Sequence, residues 1–406
     1  MQQPTVILKI TGSILIYNKC KNNIQRKERK EKMEYYDVVI IGAGIYGIEA
    51  SMHSKLKNKK VLVVEKENDI FLGASYTNQA RLHNGYHYPR SYETVQEVVD
   101  TFESFAEKYK FAINSKFKSI YAIAKEGSQV NAEQFEKFCD DFKIPYKRVN
   151  PDLYFKPNTV EAAYETVEYV FDSQKTKQFY LKKLKDYKNI TFKFNSFIEK
   201  VKKEKESYLL TLNTGKIVKT PYVINTTYAA VNTINRLFNE EYYEIKYQLC
   251  EMILGKWNVE DLSITVMDGK FFSCMPFGKN DIQTLTTVGH TPHETCYEHL
   301  PKFKCQENNE FCSSERIGNC NLCPKKPKTR FDDMMKIYKT FMKDDFKYEY
   351  GKSLFTIKPT LISSEVDDGR PTIVKKYREK PTYVSCLSGK FSTIYMLDEF
   401  LNKDIE

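Results

Sequence analysis

Residues 36–65 read YDVVIIGAGIYGIEASMHSKLKNKKVLVVE, and the order of apolar runs and glycines in this stretch decides the fold. The run 36–41 is almost wholly apolar, as expected of a parallel strand buried on both faces. A glycine turn follows, then a helical stretch expected over 45–57, then a second buried strand over 60–65. A strand, a glycine turn, a helix and a strand within about 30 residues make a βαβ unit.

Gly42, Gly44 and Gly47 have the G-x-G-x-x-G spacing of a dinucleotide-binding turn. The first glycine permits the tight turn, and the second lets backbone approach a pyrophosphate. The third lets the helix pack on the strand. The free N–H groups and partial positive charge of the helix N-terminus then face the phosphates. Glu65 ends the second strand, 18 residues after Gly47. A carboxylate there accepts hydrogen bonds from a ribose 2′-hydroxyl and repels a 2′-phosphate, which disfavours NADP. The hexamer alone is a weak signal; the strand before it and the helix after it argue against three incidental glycines, the competing reading.

Outward from this unit, 71–90 is polar, aromatic and glycine-dotted, and reads as a functional loop. A helix is expected from Tyr92, with Val95, Val98, Val99, Phe102, Phe105 and Ala106 as its core stripe. Further expectations are a strand over 118–124, a helix over 131–141 and a strand over 162–170. Asp172 or Ser173 would cap a helix running to 187. Strands over 190–194 and 222–225 flank a hairpin that turns at Asn213-Thr214-Gly215. Residues 244–288 are mostly strand-like, with a turn at Asp268-Gly269. A helix is expected over 331–341. No internal repeat is present.

The 406 residues fit two closely packed domains, and 41% apolar residues are enough for a real core. The net charge is +10, but residues 1–32 hold eight Lys/Arg against two Asp/Glu, leaving 10 − 6 = +4 for the rest. The basic balance therefore belongs mainly to a leader, and nucleic acid is not an expected partner. No run of about 18 apolar residues is present, so no membrane-spanning helix is expected. Residues 6–17 are fairly apolar but interrupted by Lys9, Thr11 and Ser13, and the basic run follows them, opposite to a secretory signal. Met33 stands just before the first strand, so the first 32 residues read as a dispensable extension or as sequence outside the natural product. Six of the ten cysteines are scattered: Cys20, Cys139, Cys250, Cys274, Cys296 and Cys386. Scattered thiols without a signal peptide point to a reducing compartment, the cytoplasm.

Four blocks resemble the FAD-dependent oxidoreductases of the D-amino-acid oxidase superfamily. They are DVVIIGAGIYGIEAS with VVEK; GASYTNQARLHNGYHYP at 73–89; VINTTYAAVN at 223–232; and DGRPTIV at 368–374 with VSCLSGKFSTIYML at 384–397. The second block is similar to the loop of L-2-hydroxyglutarate dehydrogenase-like members, which carry a histidine and a glycine at the spacing of His83 and Gly85. The resemblance implies an α/β fold: a doubly wound, Rossmann-like FAD-binding domain interleaved with a mostly antiparallel substrate domain. The corresponding division is a basic leader at 1–33, FAD-binding parts at 34–110, 171–240 and 351–406, and substrate parts at 111–170 and 241–350. It further implies FAD as cofactor, with Gly42, Gly44 and Gly47 at the pyrophosphate and Glu65 at the ribose. Ser75, Asn78 and Gln79 would lie near the pyrophosphate and flavin, with Asn225 and Thr226 bordering the same cleft. Gly389 and Lys390 would approach the flavin pyrimidine edge, where a cation eases reduction. Cys386 does not stand where relatives form a covalent flavin link, and reads as a buried thiol.

Oxidation of a C–H bond beside a hydroxyl or amine needs a partner for the O–H or N–H proton and a hydride acceptor. Arg81, His83, His87, Tyr88 and Arg90 supply suitable groups. His83 is the candidate base or substrate orienter, and Arg81 or Arg90 the candidate carboxylate clamp. The competing reading makes them structural loop residues.

Cys305, Cys312, Cys320 and Cys323 have the spacing C-x6-C-x7-C-x2-C. The last pair has the spacing of a zinc knuckle, and four thiolates make a closed structural zinc site rather than a catalytic one. His293, Cys296 or His299 could replace one ligand. Two disulfides, unligated thiols and an iron–sulfur cluster stay open.

The leading expectation is an FAD-dependent oxidoreductase acting on a C–OH or C–NH bond of a small polar substrate, with a 2-hydroxy acid slightly favoured. The alternative is a flavin- or nucleotide-binding scaffold without turnover, whose cysteine loop docks a protein. A third reading is an RNA-modifying enzyme. The electron acceptor stays open among oxygen, a quinone and another protein. The absence of a second G-x-G-x-x-G argues against a dedicated NAD(P)H site.

Overall fold

The two apolar runs of the opening unit form the strands Val38–Ile41 and Val61–Val64, buried at every position. They pair in parallel, Val38 opposite Val61, at the centre of a six-stranded sheet. Its order is Ile190–Lys193, Val61–Val64, Val38–Ile41, Tyr222–Asn225, Thr382–Leu387 and Ile373–Glu379. All neighbours are parallel except the last two. The architecture is thus mixed α/β around a Rossmann-like layer. The computed structural model describes residues 33–278, 281–365, 367 and 369–405. The expectations placed on the leader and on Asp368 lie outside these.

The first helix is shorter than expected, Ile45–Ser51. His53 Nδ1 accepts from the Lys55 N–H and starts a separate turn, Ser54–Leu56, so the chain leaves the helix there. The helix Tyr92–Lys108 buries Val95, Val98, Phe102 and Phe105, while Val99 and Ala106 of the expected stripe are only partly covered. Asp172 caps the helix Ser173–Lys183 by accepting from the Gln174 and Lys175 N–H groups.

The second large layer is a nine-stranded, mostly antiparallel sheet. Toward one side of it Ile245–Trp257 pairs along its length with Tyr348–Leu361. The latter strand straddles the expected boundary at 350 and belongs by pairing to this sheet. The strand expected over 162–170 is two strands. Val160–Thr166 lies in the large sheet, and Tyr169–Phe171 in a three-stranded sheet between Arg81–Leu82 and Ile113–Asn114. The break at Val167 and Glu168 carries the chain from one layer to the other. Among the described residues no helix is long and apolar enough to cross a membrane.

Candidate active site

Gly42 has a φ of +102°, a conformation that side chains rarely adopt, and its N–H donates to the Val64 carbonyl at 2.9 Å. Gly47 packs so closely that a Cβ would stand 1.9 Å from the Gly42 carbonyl oxygen. Thr226 closes the turn from the next strand, its hydroxyl donating to the Ile41 carbonyl at 2.9 Å. Ser75 Oγ accepts from the Ile45 N–H at 2.9 Å, across the helix N-terminus. The Glu65 carboxylate accepts from the Ala43 and Glu67 N–H groups at 2.7 and 2.9 Å. Burial raises its pKa, and these bonds oppose the rise. Glu65 therefore braces the turn as well as facing the cleft. The turn and its acid fit a dinucleotide with a free ribose.

One cavity of about 910 Å³ runs from this turn into the space between the two large sheets. That is near the upper end of ligand pockets, about 300–1,000 Å³. Gly42, Gly44, Glu65, Ser75 and Thr226 line one end, and His83, His87, Tyr88, Gly389 and Lys390 the other. Asn78 and Gln79 also line it. The Asn78 amide is spent on the loop itself, donating to the Ala74 carbonyl at 2.6 Å and accepting from the Ala80 N–H at 2.5 Å. Asn225, expected to border the cleft, lies fully buried beneath it. It donates to the Val231 carbonyl and Tyr383 hydroxyl, each at 3.0 Å, and accepts from Thr227 Oγ1 at 2.7 Å. Its amide fixes the turn after the strand, which its sequence neighbours could not reveal.

The arrangement at the His83 end is set by register. Arg81 pairs with Val170 and Leu82 with Tyr169 in an antiparallel ladder, so the next positions along, His83 and Glu168, face each other. His83 Nδ1 stands 3.4 Å from Glu168 Oε1, and both atoms are otherwise without a hydrogen-bond partner. His83 Nε2 is 3.5 Å from the Tyr88 hydroxyl. Burial, then Lys390 and Arg81, hold the His83 pKa well below the ordinary imidazole value, so the ring is neutral.

Arg81 lines the cavity but is held within the fold. It is 5% exposed and lies 3.3 Å from Glu168. It donates to Thr265 Oγ1 at 3.0 Å and also to the Tyr121 hydroxyl and Ser273 Oγ. Tyr121, Thr265 and Ser273 are opposed across three adjacent strands and form one polar row beneath the guanidinium. The Tyr121 hydroxyl also donates to Glu168 at 2.7 Å. Arg90 is likewise engaged, with Asp268 at 2.7 Å. Both arginines are thus paired with acids of the protein itself, and these contacts stand against the expected clamp role.

Lys390 lies 4.0 Å above the Tyr88 ring, and burial, then Arg81, hold its pKa well below the ordinary lysine value. His87 is held low by burial and then Arg81. Further cations reach the cavity wall, among them Lys246 and Lys358 from strands and Arg370 from the loop before Ile373–Glu379. None was singled out in the sequence, and neither was Glu168; the only signal was an acid interrupting the apolar strand pattern at 162–171. Cys386 is 2% exposed, does not line the cavity, and burial pushes its thiol up to about 12.

Among the described residues no group of three or more His, Cys, Asp or Glu side chains is arranged to hold a metal ion. The described cysteines are free thiols. Cys305, Cys312, Cys320 and Cys323 nevertheless converge on one small cavity. The upstream substitutes are engaged elsewhere: His293 with Glu251 at 2.8 Å, His299 stacked on Tyr242, and Cys296 with Leu300 and Lys302.

A Rossmann-like layer, a dinucleotide turn and a buried polar cluster across one cavity define a flavin-dependent oxidoreductase fold. The chain matches the DAO family, FAD dependent oxidoreductase, over residues 37–295, and it belongs to that family. It is 22% identical over 360 residues to the FAD-dependent monooxygenase FPY4 of Fusarium mangiferae, covering 89% of this chain and 88% of that protein. It is 32% identical over 107 residues to the FAD-dependent monooxygenase kojA of Aspergillus flavus, a stretch spanning only 25% of each protein. In fold it is similar to L-α-glycerophosphate oxidase from Mycoplasma pneumoniae with FAD bound (TM-score 0.67, 14% identity, 92% of this chain and 95% of that one). It is also similar to glycine oxidase from Geobacillus kaustophilus (TM-score 0.61, 12% identity, 92% and 95%).

Proposed function

We propose that the protein oxidises the C–H bond beside a hydroxyl or amine in a small anionic substrate, with His83 taking the O–H or N–H proton. The observation that carries this reading is the neutral His83 backed by Glu168 at 3.4 Å, inside the cavity that the glycine turn opens into. A proton on Nδ1, facing Glu168, leaves Nε2 as the acceptor toward the cavity. Bound FAD supplies the two-electron acceptor that takes the hydride. Lys358 and Arg370 on the cavity wall favour a carboxylate or another anion. Glycine turn, Glu65 and Ser75 would hold the cofactor's dinucleotide end, and Gly389 and Lys390 its ring end. The six-stranded layer is then the cofactor part and the nine-stranded layer the substrate part. Residues 73–89 keep 2-hydroxy acids first among substrates. The free thiols agree with a cytoplasmic setting.

The test is anaerobic titration of the flavin-loaded chain with 2-hydroxy acids, amino acids, secondary amines and glycerol phosphate. Bleaching by one class, lost in His83→Asn while flavin stays bound, is the expected result. Bleaching by NADH or NADPH and by no organic substrate would overturn the reading in favour of monooxygenation, the activity named for the two fungal relatives.

A further inference from the structure

The segment from Tyr297 to Arg330 contains no α-helix or strand; its one regular element is the 3₁₀ turn Lys304–Gln306. Yet it is pinned at many points to the dinucleotide end of the large cavity. Lys66 Nζ donates to the Ile317 carbonyl at 2.7 Å, Asn321 Nδ2 to Thr77 Oγ1 at 3.1 Å, and Asn319 Nδ2 to the Leu72 carbonyl at 3.4 Å. Glu315, Arg316 and Ile317 form part of the cavity wall, beside Glu65 and Lys66. A loop with so little regular structure needs a local source of order to hold that wall.

Its four cysteines surround a cavity of about 10 Å³, walled on the core side by Leu249, Phe303 and Ile357. Such a volume holds about one small particle. Cys312 and Cys323 are buried. N–H groups are aimed at the sulfurs: Gly318 N and Gln306 Nε2 at Cys312 Sγ, 3.2 and 3.6 Å, and Asn309 Nδ2 at Cys323 Sγ, 3.4 Å. Neutral thiols gain little from such donors, whereas thiolates need them. The Cys320–Cys323 pair sits in a tight turn, with the Cys323 N–H donating to the Cys320 carbonyl at 3.3 Å. The four cysteines line one cavity without standing in ligand geometry, so binding requires the sulfurs to close on one centre at Zn–S distances of about 2.3 Å.

We propose that Cys305, Cys312, Cys320 and Cys323 bind one zinc ion, which clamps the 297–330 loop against the dinucleotide end of the cavity. One Zn²⁺ replaces four thiol protons and gives a tetrathiolate of net charge 2−, with no change of oxidation state. The Lys326 side of the site and the N–H donors stabilise that charge. With all four positions filled by sulfur, the ion has no open position for catalysis.

The test uses the full chain with its flavin. Metal analysis should find one zinc per chain in the wild type and none in Cys320→Ser or Cys323→Ser, while Cys139→Ser, elsewhere in the core, keeps it. Cobalt exchanged into the wild type should give the absorption of a tetrahedral thiolate site, which stays decisive if the serine variants fail to fold. Removal of zinc by a chelator should weaken FAD binding at least tenfold, and added zinc should restore it. No bound metal, iron in place of zinc, or a disulfide among the four cysteines would each overturn the site. Unchanged FAD affinity after zinc loss would overturn the clamp. Metal content is read without turnover, so a failed substrate screen leaves this result intact.

Discussion

Glu168→Gln removes one negative charge and almost no volume from the pair that backs His83. At 3.3 Å from Arg81 the lost attraction is roughly 5 kcal/mol for an effective dielectric near 20. Part of this returns because a neutral amide costs less to bury. The net loss expected for breaking a buried pair is about 3–5 kcal/mol, large against a typical total of about 5–15. Burial raises the Glu168 pKa, and Arg81 and Tyr121 oppose it, so the carboxylate relies on those two partners to stay ionised. Without the carboxylate, Nδ1 of His83 loses its anionic acceptor, and the ring can carry its proton on Nε2, where it no longer accepts one. A wrong tautomer costs up to about 10⁴ in rate in the serine-protease triad, and a lost orienting partner about 10–100-fold at metal sites. The expected result for Glu168→Gln is a melting temperature several degrees lower and anaerobic flavin reduction slowed about 100-fold, with FAD still bound. FAD retention separates the effect from unfolding. Reduction at the wild-type rate with unchanged melting would refute both the charge pair and the orienting role.

Gly47→Ala should abolish FAD retention and lower the melting temperature, read by flavin fluorescence and calorimetry, because its Cβ would meet the Gly42 carbonyl at 1.9 Å. The reductive half-reaction should lose rate only below about pH 6.5, the free imidazole value, because burial holds His83 lower still. In that window the unfolded chain binds the extra proton, so His83 also makes stability fall as pH drops, measurable by melting across pH. Lys390→Met should slow reduction roughly 10–100-fold without loss of the fold, checked by stopped-flow absorbance. Cys386→Ser should leave both the amount of flavin and its release on denaturation unchanged, since Cys386 does not line the cavity.

The opening βαβ unit was legible because every signal in it is local. A strand buried on both faces must be apolar throughout, and a turn with a positive φ at Gly42 needs glycine, whatever surrounds it. The helix cap at Asp172 follows from the same short-range chemistry. His83 was legible as a residue but not as a site. Its partner Glu168 is 85 positions away and reaches it only through the antiparallel pairing of Arg81–Leu82 with Tyr169–Phe171. Arg81 could be read as a carboxylate clamp until three strands set Tyr121, Thr265 and Ser273 in a row beneath it. Asn225 could be read as a cleft residue until burial turned it inward. The sequence by itself determined the cofactor turn and the apolar layers, because helix and strand periodicity act over a few residues. Only the tertiary structure decided which polar groups are spent on one another and which face the cavity, because strand register joins residues that chain distance keeps apart.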